Sequence, residues 1–493
     1  MEHLFIEKGA FCLLAGASGS GKTTLLRQIF KDNALQGKQE GILSVTSDAV
    51  SYVWQNPASQ IVTDRVEYEI VFGLENIGMK KEQMQRRLAE VVTFFGLEAL
   101  LERDTMNLSG GEMQILNVAA AVAMNPDILL LDEPASQLDP VAARRLYEML
   151  RQINEELGIT VVIAEQRLED IIVLADQMVL IREGKVVVSG TPGEVYQKAC
   201  PKDRKRFFPS YMQVYKNERK EMTQLISQKT VRQWFEKHYQ EKEEASITVS
   251  HEKMGETISC KSIHFRYEKN MADVVKDCNC NIPKGNVTCI AGGNGSGKST
   301  FLQLLSGRYR SYHGKIKEVP TSISYLPQQA KYLFLEDSFE QARKNASEMT
   351  KKYITKFGIE ELLHCHPADV SGGELQRMAL CFVLGKDAEL YLLDEPTKGM
   401  DRDSKEILKN ILRNLVAQRK TVVMVSHDME FAAQVADYMA LMFKGRLDLL
   451  MDSRSFFEEN QFYTTELNRI ARGVSRHIIT GEDVDRYAKK IRD

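Results

Sequence analysis

The sequence predicts an α/β protein of two tandem domains, each with a mainly parallel sheet core and a helical subdomain. Two observations indicate this fold. The same short motifs occur twice, in the same order, in a chain of 493 residues, which indicates an internal duplication. The motifs also lie beside short runs of leucine and β-branched residues, such as DILLLDEP, TVVIAE and TVVMVS. Such runs are typical of buried parallel strands, and strands that alternate with helices form a sheet covered on both faces.

Four motifs define the repeat. AGASGSGKTT (15–24), LSGGEMQ, ILLLDEP and TVVIAEQRLED in the first half correspond to AGGNGSGKST (291–300), VSGGELQR, LYLLDEP and TVVMVSHDMEF in the second. The SGG serine precedes the LLDE aspartate by 23 positions in both halves, whereas the segment between the glycine loop and SGG differs in length. We therefore expect a first domain over 1–196, a linker over 197–256, a second domain over 257–451 and a helical tail over 452–493.

Composition excludes several classes of protein. A chain that is 43% hydrophobic and 27% charged is typical of a globular protein with a core. The formal net charge of −3 gives no indication of a nucleic-acid partner. No run reaches the roughly 18 apolar residues of a membrane span, and MEHLFIEKGAF lacks the layout of a secretory signal. The eight cysteines are scattered, and HCH at 364–366 is expected to be ordinary surface or core. These features favour a cytosolic protein with reduced thiols.

Both glycine loops fit the pattern G-x-x-x-x-G-K-[ST]. Glycines allow successive backbone N–H groups to turn toward one anion, and the following helix adds its positive N-terminus. Lys22 and Lys298 can reach the β- and γ-phosphates, and the Thr23 and Ser299 hydroxyls can ligate Mg²⁺. The predicted nucleotide-binding residues are Gly16, Ala17, Ser18, Gly19, Ser20, Gly21, Lys22, Thr23 and Thr24, and Gly292, Gly293, Asn294, Gly295, Ser296, Gly297, Lys298, Ser299 and Thr300.

An aspartate and a glutamate follow one apolar strand in each half. Asp132 and Asp394 are placed to hold the Mg²⁺ shell, and the neighbouring Glu133 and Glu395 are placed to polarise an attacking water as general bases. The phosphate loop upstream of each pair gives this interpretation its weight, since an isolated DE after a strand is usually a solvated loop.

The SGGE motifs predict a second anion site in each half, formed by Ser109, Gly110, Gly111 and Glu112 and by Ser371, Gly372, Gly373 and Glu374. Two such sites per half are explained if the SGG of one half closes over the nucleotide of the other. The sequence here resembles the ATP-binding cassette (ABC) ATPases, whose signature motif is LSGGQ. The resemblance covers nearly the whole of both halves.

The resemblance implies a head-to-tail sandwich of the two cassettes within one chain, with two ATP molecules and Mg²⁺ at the shared interface. One site would join the first phosphate loop, Asp132 and Glu133 to Ser371–Gly373, and the other would join the second loop, Asp394 and Glu395 to Ser109–Gly111. Gln55 and Gln328 match the Q-loop, which touches nucleotide and metal and senses the membrane partner. Asp139 and Asp401 match the D-loop, which crosses between the halves.

The two halves differ at two functional positions. His427 matches the switch histidine, which contacts the γ-phosphate and orients the water, but Gln166 takes its place in the first half. A neutral amide donates a hydrogen bond but cannot carry charge or transfer a proton. Tyr267 resembles the aromatic residue on which family members stack adenine. The first half, with 15 residues before Gly16, is expected to lack this residue and the edge strands around it. We therefore expect hydrolysis mainly at the site of Lys298, Glu395 and His427.

The segment QNPASQIVTDRVEYEIVFGLEN (55–76) resembles the Q-loop region of energy-coupling factor (ECF) importers of vitamins and metal ions. The resemblance implies a location on the cytoplasmic face of the membrane, with an integral scaffold and a substrate-binding subunit as partners. It leaves the cargo undefined and gives no expectation of nucleic acid. The groove that receives the scaffold's coupling helix would be lined by Gln60, Glu67, Phe72, Gly73 and Asn76. The second half (QQAKYLFLEDSFEQARKN) departs from this pattern.

Two other classes of protein remain open. Fused sugar-importer ATPases have a similar length, but they typically carry a degenerate second phosphate loop, whereas both loops are intact here. Ribosome-associated ABC-F proteins also have two cassettes and no membrane span. They usually carry a strongly charged helical arm between the cassettes and a D-loop reading NHLD, and the linker here does contain basic residues.

Overall fold

The computed structural model describes residues 4–17, 19–31, 43–136, 138, 140–166, 168–215, 227–242, 256–344, 346–448 and 450–491. Ser18 and Asp139, which the sequence places in the first phosphate loop and the first D-loop, lie outside the described residues. The chain forms two compact units, unit 1 (Met1–Ser227) and unit 2 (Gln228–Asp493), and each is described by itself.

Unit 1 is built on one six-stranded sheet with the strand order β2-β3-β4-β1-β5-β6. Its first five strands are parallel and only β6 is antiparallel, as the continuous apolar runs predict. The strands are β1 (Phe11–Ala15), β2 (Val50–Val53), β3 (Ile128–Asp132), β4 (Thr160–Glu165), β5 (Gln177–Arg182) and β6 (Lys185–Gly190).

Helices cover this sheet and form a helical subdomain beside it. Helix α1 leaves the phosphate loop and buries Leu26 against Leu130 of β3 and Val162 of β4, while α2 and α3 pack on α4. The helices of unit 1 are α1 (Lys22–Ile29), α2 (Val66–Asn76), α3 (Lys81–Phe95), α4 (Gly110–Ala123), α5 (Pro140–Leu157), α6 (Pro192–Lys198) and α7 (Pro201–Phe207).

Unit 2 repeats the parallel sheet and adds two smaller sheets. The main sheet has the order β12-β13-β14-β10-β15-β16, with β17 paired to β15, and a three-stranded antiparallel sheet has the order β11-β8-β9. The strands of unit 2 are β7 (Tyr239–Glu241), β8 (Thr257–Phe265), β9 (Val275–Pro283), β10 (Val287–Ala291), β11 (His313–Lys317), β12 (Ile323–Leu326), β13 (Leu390–Asp394), β14 (Thr421–Val425), β15 (Tyr438–Phe443), β16 (Arg446–Leu447), β17 (Met451–Asp452) and β18 (Ala488–Lys490).

The antiparallel sheet of unit 2 packs over the helix that follows the phosphate loop. Ile258, Ile263 and Val275 from this sheet share one core with Phe301 and Leu302 from that helix. Among the described residues of unit 1, no strands form a counterpart of this sheet. The helices of unit 2 are α8 (Gln228–His238), α9 (Lys298–Leu305), α10 (Phe339–Lys344), α11 (Glu348–Phe357), α12 (Gly372–Leu384), α13 (Arg402–Ala417), α14 (Met429–Val435), α15 (Ser453–Glu459), α16 (Glu466–Ala471) and α17 (Gly481–Tyr487).

The predicted linker is divided between the two units. Helix α7 and a following 3₁₀ segment (Ser210–Tyr215) belong to unit 1, where Phe208, Tyr211 and Tyr215 are buried. Helix α8 and strand β7 belong to unit 2, where β7 pairs with β18 at the end of the chain. Among the described helices, none combines the length and the apolar character that crossing a membrane requires.

Candidate functional site

The first phosphate loop runs from the buried strand β1 to the start of α1. Gly21, the residue before α1, has a φ of 99°, a backbone conformation that favours glycine. A Cβ atom on Gly16 would lie 2.5 Å from the Ile181 carbonyl oxygen and 2.5 Å from the Ser20 hydroxyl. The neighbouring strand therefore leaves room only for glycine at the entrance of the loop.

The second phosphate loop repeats this geometry between β10 and α9. Gly292 has a φ of 147°, and a Cβ atom there would lie 2.3 Å from the Met442 carbonyl oxygen. Gly297, the residue before α9, has a φ of 106°. The two predicted phosphate-binding loops thus have the same local structure, and each ends at the positive N-terminus of a helix.

The loop lysines are buried and fold back over their loops. Lys22 Nζ donates to the carbonyl oxygens of Gly16 (2.8 Å) and Ala17 (2.9 Å). Lys298 Nζ donates to those of Gly292 and Gly293, both at 2.8 Å. Each ammonium group is therefore held against the first residues of its own loop, where its positive charge would favour a phosphate bound in that loop.

Buried hydroxyl groups support the same interpretation of the loops as phosphate sites. The Oγ atoms of Ser20 and Ser296 are buried and have no hydrogen-bond partner among the described residues. A buried hydroxyl without a partner costs free energy, and the two serines occupy the same position of the two loops. A phosphate oxygen in the loop would provide the missing partner, so the residues present fit a nucleoside triphosphate.

The aspartates at the ends of β3 and β13 fit a metal ion. Asp394 is 1% exposed, and neither of its carboxylate oxygens has a hydrogen-bond partner in the described part of the chain. Burial raises the pKa of Asp394, and the nearby Ser299 hydroxyl and Lys298 ammonium oppose this effect. Burial raises the pKa of Asp132 in the same way, opposed first by Thr23. A hard cation such as Mg²⁺ would neutralise these carboxylates and use the hydroxyl oxygens as further ligands.

In unit 1, two glutamine side chains hold the proposed general base. Glu133 Oε1 accepts from Gln166 Nε2 at 2.6 Å, and Glu133 Oε2 accepts from Gln55 Nε2 at 2.9 Å. Burial raises the pKa of Glu133, and the Lys22 ammonium is the main opposing influence. The three residues follow the adjacent parallel strands β2, β3 and β4, whose carboxyl ends meet at one edge of the sheet. The structure thus brings the predicted Q-loop and switch positions to the same carboxylate.

In unit 2, a histidine takes the place of this pair of amides. His427 Nε2 lies 3.4 Å from Glu395 Oε1, and the His427 backbone N–H donates to Glu395 Oε2 at 3.3 Å. The predicted Q-loop residue Gln328 is exposed, whereas its counterpart Gln55 is bound to Glu133. The switch histidine and the base therefore come together in unit 2 without the Q-loop glutamine.

A second buried carboxylate beside Glu133 was not anticipated from the sequence. Glu165 Oε1 accepts from the Ala135 backbone N–H at 3.1 Å. Burial and the negative charge of Glu133 raise the pKa of Glu165 to about 8. The aligned residue in unit 2 is the small, fully buried Ser426. The two residues align when TVVIAEQ is matched with TVVMVSH. A charged residue at the end of a predicted buried strand was the feature of the sequence that could have pointed to Glu165.

The SGG serines begin the helices α4 and α12. Ser109 Oγ accepts from the Glu112 backbone N–H at 3.3 Å, and the Glu112 carboxylate accepts from Ser109 N–H at 2.8 Å. Ser371 and Glu374 form the same capping box in α12, at 3.4 and 2.9 Å. The two glutamates, predicted to lie at the nucleotide, thus cap their own helices. Each helix N-terminus remains a suitable site for an anion.

The glutamine near the start of each SGGE helix was also not anticipated from the sequence. Gln376 Nε2 donates to the carbonyl oxygens of Glu395 (3.2 Å) and Pro396 (3.4 Å). The equivalent Gln114 is fully buried, and neither its oxygen nor its nitrogen has a partner among the described residues. Both glutamines are polar residues on the apolar face of a predicted helix, and this feature of the sequence could have pointed to them.

Tyr267 lies at the edge of the second phosphate loop. Its ring is 50% exposed, and its hydroxyl is 2.8 Å from Thr300 Oγ1 in α9. The Phe265 and Tyr309 rings meet it edge to face at centroid distances of 5.1 and 5.5 Å. The ring is therefore fixed in orientation and still open on one side, as stacking on an adenine base requires.

In unit 1, the segment 55–76, which was predicted to form the groove for a coupling helix, has residues that face the protein interior and residues that face the surface. Gln60 is turned inward, where it accepts from Trp54 N–H at 2.9 Å and donates to the Tyr52 carbonyl at 3.1 Å. A Cβ atom on Gly73 would lie 3.0 Å from Met124 Sδ, so this glycine faces the end of α4. Glu67, Phe72 and Asn76 are exposed. Only these three of the five predicted groove residues present side chains at the surface.

The sequence profile of the ABC transporter family matches residues 3–136 and 275–398. A protein of Bacillus thuringiensis, provisionally named an ABC transporter ATP-binding protein, is 37% identical over 98% of this chain and 93% of the relative. A similarly named protein of Clostridium tetani is 30% identical over 82% of this chain and 95% of the relative.

Two solved structures share the fold. An RNase-L inhibitor superimposes with a TM-score of 0.60 and 22% identity, over 99% of this chain and 93% of that one. An archaeal ribosome recycling factor, crystallised with a ribosomal stalk protein, superimposes with a TM-score of 0.60 and 21% identity, over 96% of this chain and 89% of that one.

Proposed function

The chain belongs to the ABC transporter family and is a two-cassette ATPase that binds ATP with Mg²⁺ and hydrolyses it, and we propose that it is the motor subunit of a membrane importer of the ECF type. In this proposal the chain acts at the cytoplasmic face of the membrane, on an integral scaffold subunit and a separate substrate-binding subunit. The cargo, a vitamin or a metal ion, is chosen by that substrate-binding subunit.

The observation that carries this proposal is an exposed side of α2, which we call the α2 face and define as Tyr68, Phe72 and Asn76; the exposed Val62 and Ile77 flank α2 along the chain. Tyr68, Phe72 and Asn76 are spaced by four and lie on one side of the helix. Tyr68 is 50% exposed and Phe72 is 40% exposed. Neighbouring exposed aromatic and aliphatic side chains are typical of a surface that contacts a partner.

Hydrogen bonds link the α2 face to the catalytic carboxylate of unit 1. The buried Glu69 of α2 accepts from the backbone N–H groups of Val62 (3.0 Å) and Thr63 (2.8 Å). Gln60 then fixes the turn that carries Gln55, and Gln55 donates to Glu133. A partner helix that pressed on the α2 face would therefore act on Glu133 through a short and rigid segment, as a transport motor requires.

We also propose that the two ATP sites are composite and unequal. Each phosphate loop would be completed by the SGGE helix of the other half, so that both halves must hold nucleotide for the sandwich to close. Hydrolysis would occur mainly at the site with Lys298, Glu395 and His427, where an imidazole lies beside the general base.

In-cell photocrosslinking tests the transport role. A photoreactive amino acid replaces Phe72 in the organism that encodes the chain, and the crosslinked product is identified by mass spectrometry. We expect a product with an integral membrane protein, because Phe72 would lie against the scaffold's coupling helix.

Phe94 supplies the matched control, since it is 38% exposed on α3 of the same unit and lies off the α2 face. The same amino acid at position 94 should give no such product. Crosslinks from position 72 to ribosomal proteins, together with cosedimentation with ribosomes, would contradict the transport role and support the ribosome-associated class instead.

A further inference from the structure

The linker helix α8 and the C-terminal tail form one folded module on unit 2, which we call the tail module (residues 228–242 and 453–491). Strand β7 pairs antiparallel with β18, and α8 packs on α16. Val231, Trp234 and Phe235 of α8 are buried. Two segments that are more than two hundred positions apart in the sequence thus share one core, and neither carries a recognisable catalytic motif.

Polar side chains fix the turns of the tail module. The buried Asn468 donates to the carbonyl oxygens of Arg476 (2.8 Å) and Ile478 (2.9 Å). Arg454 pairs with Asp483 at 2.9 Å. Buried and satisfied hydrogen bonds of this kind specify one conformation, so the tail module is a rigid element.

The tail module packs on α14, the helix that begins two residues after His427. Phe456, Phe457 and Ile479 of the tail module belong to the same core cluster as Phe431 and Val435 of α14. Aromatic side chains of this size contribute strongly to packing. One side of α14 is therefore covered by the tail module.

One hydrogen bond joins the tail module to the first turn of α14. The Glu466 backbone N–H, at the start of α16, donates to Glu430 Oε1 at 2.8 Å. The Glu466 side chain in turn accepts from Gln228 Nε2 of the linker helix at 3.1 Å. A bond from a backbone N–H to a carboxylate is among the stronger hydrogen bonds in proteins, and here it ends on a residue three positions from His427.

The body of unit 2 also holds α14 at its N-terminus. Asp428 caps the helix by accepting from the Phe431 N–H at 3.0 Å, and it pairs with Lys405 at 2.6 Å. In unit 1, no helix is formed over 168–176, the segment that follows Gln166. In unit 2, the segment that follows the histidine is therefore a helix, and both the tail module and the body of unit 2 hold it.

From these contacts we infer that Glu430 is a positioning residue, through which the tail module holds α14 and thereby sets His427 against Glu395. The inference rests on the proposed role of His427 in hydrolysis. It assigns to the linker and tail a part in the ATPase cycle, since any change that lifts α16 from Glu430 would release the helix that carries the switch histidine.

The test is steady-state ATPase kinetics of the full-length chain with Glu430→Ala and Glu430→Gln. Because Glu430→Ala removes one charge-assisted hydrogen bond, we expect kcat to fall about five- to tenfold with little change in KM for ATP. Glu430→Gln keeps an oxygen acceptor and should retain most of the wild-type kcat. Gln228→Ala, which removes only the support of Glu466, should give a smaller loss in the same direction.

Arg232→Ala is the matched control for a general loosening of the tail module. Arg232 lies on α8 and donates to the Arg469 carbonyl at 2.9 Å, so this variant breaks another α8–α16 bond without touching Glu430. We expect its kcat to equal that of the wild type. A loss of kcat in Arg232→Ala as large as in Glu430→Ala would overturn the inference, because the effect would then be one of stability.

The His427→Gln background separates positioning from a merely structural role. If Glu430 acts through His427, Glu430→Ala should cause no further loss of kcat in that background, while hydrogen exchange of the α14 amides should be faster in both backgrounds. An equal loss in both backgrounds, or an unchanged kcat in Glu430→Ala alone, would overturn the inference. An unchanged kcat in His427→Gln alone would instead overturn the proposed role of His427 in hydrolysis. In that case the hydrogen-exchange rates of the α14 amides would still show whether Glu430 holds α14.

Discussion

Gln114 and Gln376 stand at the same position of the two SGGE helices, five residues after the serine, but they have different surroundings. Gln376 holds the carbonyl oxygens of Glu395 and Pro396, and so ties α12 to the turn of the general base. Gln114 is buried to the same degree, yet its amide bonds to neither the Glu133 nor the Pro134 carbonyl. The same amino acid therefore supports the turn of the proposed general base in one half only.

This difference predicts opposite results for one substitution. Gln376→Met should lower kcat and destabilise unit 2 by about 1–3 kcal/mol, since it removes the side-chain donor that the Glu395 and Pro396 carbonyl groups share. Gln114→Met removes an unpaired buried amide at little change in volume, so the stability of unit 1 should stay equal or rise by about 1 kcal/mol. Urea unfolding and ATPase assays of the two variants measure both effects. Equal losses in the two variants would contradict this account.

Residues whose role depends on local structure were the ones that the sequence could identify. The phosphate-loop glycines are such a case, because Gly16 and Gly292 are required by the strand directly beside the loop. The bonds from Gln55 and Gln166 to Glu133 join positions that are 78 and 33 residues apart. The sequence could predict the three residues but not which oxygen each amide would bind, because register and side-chain rotamer decide that.

At the scale of elements, the SGGE helix α12 meets the turn before α13. A Cβ atom on Gly373 would lie 2.3 Å from the Gly399 carbonyl oxygen, whereas a Cβ atom on Gly372 would have no neighbour within 4 Å. The two adjacent glycines of the motif therefore differ in whether the surrounding structure has room for a side chain. Gly373 is required by packing inside unit 2, and Gly372 has no such requirement there.

Gly373→Ala should therefore destabilise unit 2 by about 1–3 kcal/mol, because backbone rather than a flexible side chain must move. Gly372→Ala should leave the melting temperature unchanged. If the SGGE helix approaches a nucleotide through its backbone, as proposed, Gly372→Ala should still lower ATPase activity. Thermal unfolding and ATPase assays of both variants check this, and full activity in Gly372→Ala would argue against a close approach of ligand to that residue.

The elements that sequence patterns predicted best are the buried strands. The runs ending in Asp132 and Asp394 are central strands of parallel sheets, and their continuous apolar character is enough to indicate this. The pairing of Tyr239–Glu241 with Ala488–Lys490 could not be predicted, since each strand has only three residues and the sequence gives no signal that the two segments meet.

In the molecule as a whole, each unit carries a candidate catalytic centre, and the proposed general bases of the two centres are held differently. In unit 1 both carboxylate oxygens of Glu133 accept from neutral amides, at 2.6 and 2.9 Å, and a second carboxylate, Glu165, lies close by. In unit 2 an imidazole stands 3.4 Å from Glu395. Only the imidazole can take up a positive charge as negative charge develops on the phosphate.

The comparison of Glu395→Gln with Glu133→Gln in the full-length chain tests this inequality. Because a general base typically contributes a hundredfold or more to the rate, Glu395→Gln should lower the ATPase rate by about a hundredfold. Glu133→Gln should lower it by much less, since we propose that this centre contributes little to the total rate and since the neighbouring amides can still bind the substituted side chain. Steady-state phosphate release at saturating ATP and Mg²⁺ measures both rates, and retained ATP binding shows that each variant is folded. Equal losses, or a larger loss for Glu133→Gln, would mean that the site with Gln166 is at least as competent as the site with His427.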